Sequence, residues 1–330
     1  MTAVLGIHHV SAIAGDAQRN VDFYAGVMAL RLVKVTVNFD DPTAYHLYYG
    51  DGDGSPGSLI TFFPYPRARK GRAGTGQVAQ VSLAIPVGAI GFWLHRFVAH
   101  DVGHDAPVRR FGQTTMAFRD RDGLHLELVA SAHEEKTHPW STHDVPREFA
   151  IRGLHGVTLW EHSLDTTDRV LVSGLGFHRV ATDDGITRFA LGDGGPSRVL
   201  DVRHIGGFLD GVGGAGTVHH VAFRAADDAG ELSLRDGIVS LGLTPTPVVD
   251  RTYFRSVYFR EPRGVLFELA TDQPGFTVDE TLERLGSGLM LPPQYEASRV
   301  EIASNLPELH SPRQSVLDAA SSSLPHDPTR

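Results

Sequence analysis

The stretch GIHHVSAIA, residues 6–14, returns near the other end of the chain as TVHHVAFRA, residues 217–225. Between them lie two fainter copies, VAQVSLAIP at 78–86 and GLHGVTLWE at 153–161. Aligned on Val10, Val81, Val157 and Val221, the copies start 71, 76 and 64 residues apart. A repeat of this kind marks one supersecondary unit used several times, and it constrains the fold more than any single motif does. Each apolar strand is followed by a helix-like segment: DAQRNVDFYAGVMAL from Asp16, GAIGFWLHRFVAH from Gly88, SLDTTDRVLVSGLG from Ser163 and DAGELSLRDGIVSLG from Asp228. Three shorter strand-like runs then follow, separated by Gly, Asp and Pro. In the first unit these are RLVKVTVNF, AYHLYYG and SLITFFP; in the last they are TPVVDRTYF, RSVYFRE and VLFELAT.

The pattern predicts an α+β fold of four βαβββ modules over residues 4–66, 76–131, 151–205 and 216–272. The polar stretch 133–149, with two prolines, reads as the linker between a first half (1–132) and a second half (150–272). The remainder, 273–330, reads as a C-terminal extension. TVDETLERLG and YEASRVEIASNL are its helix candidates, Phe276 to Leu309 is a candidate lid over one cup, and the polar tail from Ser311 is expected to be disordered.

Composition sets the outer limits. The chain has 330 residues, with 30 Lys and Arg against 39 Asp and Glu, a formal charge of −9. That length suggests about two domains. No apolar run approaches the ~20 residues a membrane helix needs. The start, MTAVLGIHHV, lacks the basic and apolar regions of a secretory signal, so a cytoplasmic setting is expected. An acidic chain lacks the electrostatic footprint of a nucleic-acid binder. The absence of Cys excludes disulfides, thiolate nucleophiles and Cys-ligated metals. Any transition-metal site must therefore draw on carboxylates and the 18 His.

Strand alternation selects among them. Side chains along a strand point to opposite faces in turn. The face that does not pack on the helix lines an open cup, and in the first strands it carries His9, Gln80, Gly156 and His220. In the last strands the equivalent positions are Thr61, Glu127, Asp201 and Glu268. Units one and four together supply His9, His220 and Glu268; units two and three supply no His at these positions. Pairing the first unit with the fourth thus gives one cup with two imidazoles and a carboxylate, and a second, degenerate cup. His155 aligns with His8 and His219, not with His9 and His220, and is expected to face the helix side. Two His and one carboxylate with open positions is the facial arrangement of non-haem Fe(II) oxygen enzymes; Mn(II) accepts the same set. Glu127 is expected to be a relic or a structural ion pair, and GDGDGSPG from Gly50 and GDGGPS from Gly192 are expected to be turns.

The repeated unit, the HHV doublets in GIHHV and GTVHHVAF and the late VLFELAT resemble the vicinal oxygen chelate (glyoxalase/bleomycin resistance/dioxygenase) superfamily, over about residues 4–272. Within it the closest likeness is to ring-cleaving dioxygenases of the hydroquinone type. The resemblance implies metal ligation by His9, His220 and Glu268, with His8, Ser11, His219, Arg251 and Tyr258 as supporting catalytic residues. On an ideal strand His8 and His219 sit on the far face, so their part requires a bulge or twist. The implied activity is Fe(II)-dependent, extradiol-type opening of a hydroquinone or related dihydroxylated aromatic with O₂, the implied partners being the aromatic substrate and O₂. A homodimer is compatible with the architecture. Two alternatives stand beside it: a glyoxalase-like metal-dependent isomerase or transferase, and a metal-free protein that sequesters aromatic compounds or drugs. The isomerases typically use four metal ligands, and the fourth position here is Thr61.

Overall fold

The computed structural model describes residues 3–133 and 138–310. The first unit contains β1 (Ile7–Ala14), α1 (Ala17–Val21), β2 (Arg31–Asn38), β3 (Asp41–Gly50) and β4 (Leu59–Pro64). The second contains β5 (Gln77–Pro86), α2 (Ile90–Ala99), β6 (Val108–Arg110), β7 (Gln113–Arg119) and β8 (His125–Ser131). The third contains β9 (Leu154–Glu161), α3 (Asp165–Arg169), β10 (His178–Asp183), β11 (Ile186–Ala190) and β12 (Val199–His204). The fourth contains β13 (Thr217–Ala225), α4 (Asp228–Ser240), β14 (Val249–Asp250), β15 (Arg255–Arg260) and β16 (Leu266–Thr271). Asp16 and Asp227 start their helices by accepting the N–H of Arg19 and Gly230, which satisfies donors the helix leaves free. α1 and α3 widen into π turns over Asp22–Val27 and Val170–Gly174.

The strands form two eight-stranded mixed sheets. One runs β14-β15-β16-β13-β1-β4-β3-β2 and the other β10-β11-β12-β9-β5-β8-β7-β6. The first unit therefore pairs with the fourth, through antiparallel β1 and β13, and the second with the third, through β5 and β9. This is the closure that the distribution of His predicts. Buried turns tie sequential units together as well. Asp120 accepts three backbone N–H groups of its turn and the Tyr24 hydroxyl from the first unit. Glu261 does the same for the fourth unit, accepting two backbone N–H groups and the Thr167 hydroxyl from the third. One apolar core runs through both halves, from Val10, Tyr24 and Phe62 to Trp93, Leu159 and Phe223.

The central pairs carry matched irregularities. Ile7 faces Phe223 and His9 faces Ala222, so His8 is an extra residue in β1. Ser11 faces His220 and Ala12 faces Val218, so His219 is the extra residue in β13. In the other sheet Ala79 and His155 are extra in the same way. Such bulges kink the strand and re-aim its side chains.

The extension differs from its sequence reading. TVDETLERLG forms 3₁₀ turns at Phe276–Val278 and Leu282–Arg284 rather than an α-helix. Its bends deliver Asp279, Glu280 and the Phe276 carbonyl to Lys34, a fully buried ammonium in β2 that needs anionic partners. In YEASRVEIASNL a 3₁₀ turn (Pro293–Ser298) leads into α5 (Arg299–Asn305). β14 is also shorter than the run TPVVDRTYF, which contains Pro247. The tail from Ser311 and residues 134–137 of the linker lie outside the described residues. No helix among the described residues is long and apolar enough to cross a membrane.

Glu161, at the end of β9, is fully buried, and neither of its oxygens has a hydrogen-bond partner among the described residues. Burial and the neighbouring Glu261 push its pKa from 4.5 up to about 8. A carboxyl raised on folding contributes full stability below its unfolded pKa and loses it as pH rises toward the folded value. Glu161→Gln should therefore leave the Tm unchanged near pH 4 and raise it increasingly toward pH 8. Melting curves of both proteins across that range test this, and a pH-independent difference would contradict it.

Candidate metal centre

β1, β13 and β16 bring three buried side chains to one point. His9 Nε2 lies 3.2 Å from His220 Nε2 and 3.4 Å from Glu268 Oε2, and His220 Nε2 lies 2.9 Å from that same oxygen. The exposures are 1%, 5% and 0%. This is the one group of three or more His, Asp or Glu among the described residues that converges closely enough to hold a metal ion. Three donor atoms each about 2.1 Å from one ion stand about 3.0 Å apart when mutually perpendicular, a spacing the observed triangle matches. Among the described residues Glu268 Oε2 meets only these two ring nitrogens, whereas Oε1 accepts the Ser256 hydroxyl at 2.5 Å. A carboxylate oxygen facing two imidazole nitrogens fits a cation between them.

The other ring nitrogens are engaged symmetrically. His9 Nδ1 meets His8 Nδ1 at 2.9 Å, and His220 Nδ1 meets His219 Nδ1 at 2.8 Å. The bulges make this contact: each places a His beside its chain neighbour rather than behind the sheet. Holding Nδ1 fixes the tautomer and leaves Nε2 free to ligate. His8 is buried beneath Phe254 and also bonds the Thr271 backbone. Burial, reinforced by His9, holds it well below the usual histidine pKa. Burial, His220 and Arg260 bring His219 down to about 4. Burial lowers His220 too, against the pull of Glu268. Burial alone would raise Glu268, but His9 and His220 hold it well below the carboxylate range.

Above the three donors opens a cavity of about 340 Å³, within the range of small-molecule sites. Ile13, Phe39, Phe63 and Phe254 give it apolar walls. His219, Arg251 and Tyr258 line it, as do His9 and His220. Arg251 donates from Nε to the Tyr258 hydroxyl at 3.1 Å and grips Asp40 with both terminal nitrogens. Burial, with Glu268 nearby, keeps the Tyr258 phenol protonated well above its ordinary pKa. Ser11 is fully buried and does not reach the cavity; its hydroxyl meets Thr61 Oγ1 at 2.7 Å.

Sequence reasoning missed His46, which bonds Thr61 Oγ1 at 2.9 Å and the Tyr48 hydroxyl at 2.9 Å. Both His46 and Tyr48 line the cavity. Their alternation in AYHLYYG was the available signal, once the strand's register placed it on the cup face. No described residue of the C-terminal extension lines this cavity.

The second cup has a different floor. Arg110 closes on both Glu127 oxygens, which also accept the Ser82 hydroxyl, and Arg188 grips Asp201 with two nitrogens. Glu127 is thus a structural ion pair. Gln80 faces a separate recess beside His104 and His125. His155 corrects its sequence reading: it lines the second cup rather than the helix side, because it is the bulged residue of β9.

Comparison with known proteins accords with this architecture. The sequence pattern of the Glyoxalase/Bleomycin resistance protein/Dioxygenase superfamily matches residues 6–128. MhqO of Bacillus subtilis (strain 168), named as a ring-cleaving dioxygenase, is 46% identical over 92% of this chain and 96% of its own. The chlorohydroquinone/hydroquinone 1,2-dioxygenase of Sphingobium indicum is 35% identical over 91% of this chain and 95% of its own. A crystal structure from Bacillus subtilis described as a dioxygenase superposes with a TM-score of 0.90 at 44% identity, covering 94% of this chain and 99% of that one. Maize glyoxalase I shares the fold, with a TM-score of 0.61 at 16% identity over 81% of this chain and 92% of that one.

The lowered imidazoles make a further demand on the metal-free protein. Groups whose folded pKa lies below the unfolded value add stability above that unfolded value and lose it as pH falls toward the folded one. With His8 and His46 well below 6.5 and His219 near 4, the Tm of metal-stripped protein should fall as pH drops from 6.5 to 4. His46→Asn should flatten that slope. A Tm constant over the interval would show that these rings are not buried as neutral groups.

Proposed function

The chain belongs to the glyoxalase/bleomycin resistance protein/dioxygenase superfamily, and from that premise we propose that it is an Fe(II)-dependent, extradiol-type ring-cleaving dioxygenase acting on a hydroquinone or related dihydroxylated aromatic. The observation that carries this reading is the buried triangle of His9, His220 and Glu268 beneath an aromatic-walled cavity. These three side chains would hold the metal. Fe(II) with three facial ligands keeps open positions at which a phenolic oxygen and O₂ can be brought together. Mn(II) accepts the same donors.

The chain's own residues account for the rest. Phe39, Phe63 and Phe254 receive a planar ring and exclude water from it. Tyr258 keeps its proton in this setting and can lend it to an oxygen developing negative charge. Arg251 orients that phenol and places its positive charge beside it. His219, neutral and lining the cavity, offers a hydrogen-bond partner to a substrate hydroxyl. Two observations disfavour the alternatives. Thr61, the fourth-ligand position of an isomerase, is occupied by bonds to Ser11 and His46. A metal-free sequestering pocket gives no reason for a buried carboxylate oxygen to face two imidazole nitrogens at donor-set spacing.

Metal analysis of anaerobically purified protein, followed by oxygen-electrode assays with hydroquinone, catechol and gentisate, tests the reading. About one iron per chain and O₂ uptake with hydroquinone are expected. His9→Ala, His220→Ala and Glu268→Gln should each reduce both metal content and turnover, the latter by on the order of a hundredfold or more. Turnover that survives all three refutes the site. Tyr258→Phe should leave the metal in place while lowering kcat by about a hundredfold, the scale of a lost general acid. An unchanged kcat would remove Tyr258 from the chemistry.

A further inference from the structure

We propose that the second cup is a binding site in its own right: a metal-free pocket for a neutral monocyclic phenol, held by His155 and Phe111. The positions that carry the donor histidines in the first cup are Gly156 and Gln80 here. Gly156 cannot regain a side chain, since a Cβ there would stand 2.4 Å from the Val199 carbonyl oxygen. The floor carboxylates are already closed by Arg110 and Arg188. Yet the cup is not filled. A cavity of about 640 Å³ opens over this floor, against about 340 Å³ in the first cup.

His155 lines that space at 2% exposure, and neither of its ring nitrogens has a hydrogen-bond partner among the described residues. Each buried polar group left unpaired costs about 1–3 kcal/mol, so the bulge holds an unsatisfied imidazole against the cavity. Burial, with Arg188, His133 and Arg110 nearby, keeps the ring neutral at pH 7, its pKa near 3. A neutral imidazole offers one donor and one acceptor, the complement of a hydroxyl.

The lining also carries one aromatic ring, Phe111. The two-residue turn between β6 and β7 is Phe111-Gly112, with φ of 48° and 76°. Turns of this type ordinarily begin with Asn, Asp or Gly, and a bulky residue there is strained. The strained position lays the Phe111 ring 4.1 Å from the Arg188 guanidinium of the third unit, and the Phe111 N–H reaches Asp183 at the end of β10. The hairpin thus joins the second unit to the third and places a flat ring in the lining of the cavity. The guanidinium and carboxylate charges on the floor cancel in pairs, and the rim carries one of each sign in Arg109 and Asp193, which favours an uncharged ligand.

The probe is 4-bromophenol, titrated calorimetrically into the full-length protein and located by bromine anomalous scattering in crystals. Two sites per chain are expected, one with its hydroxyl at hydrogen-bond distance from His155. His155→Leu and Phe111→Gly should each weaken that site at least tenfold while leaving hydroquinone-dependent O₂ uptake at the first cup unchanged. Phe111→Gly relieves the turn rather than the core, so it reads out even if His155→Leu fails to fold. Bromine in the first cup only, binding at crystal concentration only, or a second-cup site unaffected by either substitution would each overturn the proposal. Absence of hydroquinone-dependent O₂ uptake in the unaltered protein would count against the dioxygenase reading, and bromine in the second cup would still support this one.

Discussion

An ionised carboxylate taken wholly out of water needs positive charge against it, and the arrangement of the first sheet follows from meeting that need at Glu268. The side chain is fully buried, and one oxygen is served by Ser256 while the other faces only His9 and His220. Neither partner histidine is local. His220 is one strand away in the same unit, and His9 comes from the opposite end of the chain across the β1–β13 seam. The seam between the first and fourth units is therefore both a folding contact and the means of assembling the donors. One of the three side chains, His9, is brought to the other two only by that seam.

The second sheet meets the same constraint with different chemistry. Glu127 stands where Glu268 stands, and it is neutralised by the planar guanidinium of Arg110 from the strand edge. Arg188 performs that service for Asp201. Arg188 meets Asp201 through two nitrogens, and Arg110 reaches both Glu127 oxygens from one, so each floor carboxylate has its own guanidinium. A repeated unit has in this way separated two uses of one cup: an open-sided donor set where imidazoles converge, and a sealed ionic floor where arginines do. The sealed floor leaves its chemistry to what lies above it, where His155 is unsatisfied.

Repeat period, module order and the pairing of first with fourth were legible in the sequence because strand alternation sorts residues by face, and only one pairing gathers His9, His220 and Glu268. Other features turn on interactions that periodicity does not encode. The turns at 276–278 and 282–284 replace a helix because Lys34, which reads simply as an alternating residue in RLVKVTVNF, is buried and draws Asp279 and Glu280 to itself. His46 and Tyr48 could be placed only with the register of β3 against β4, which fixes which face AYHLYYG turns to the cavity. His155 was misplaced because a strict two-residue alternation cannot represent an inserted residue.

That inserted residue is what makes a doublet, rather than an alternating pair, the working motif. In an ideal strand His8 and His9 would face opposite sides, and one of them would be lost to the core. The bulge lets the second histidine present Nε2 to the cup while the first takes its Nδ1, so one short stretch supplies both a donor and the group that orients it. The same geometry recurs at His219 and His220. In the third unit the doublet survives by half, as His155 followed by Gly156, and the backbone keeps the bulge. What remains is an orienting histidine with no neighbour to orient, buried and turned toward a cavity. The site that the first cup builds from two adjacent residues thus persists in the second as a single polar group without a hydrogen-bond partner among the described residues.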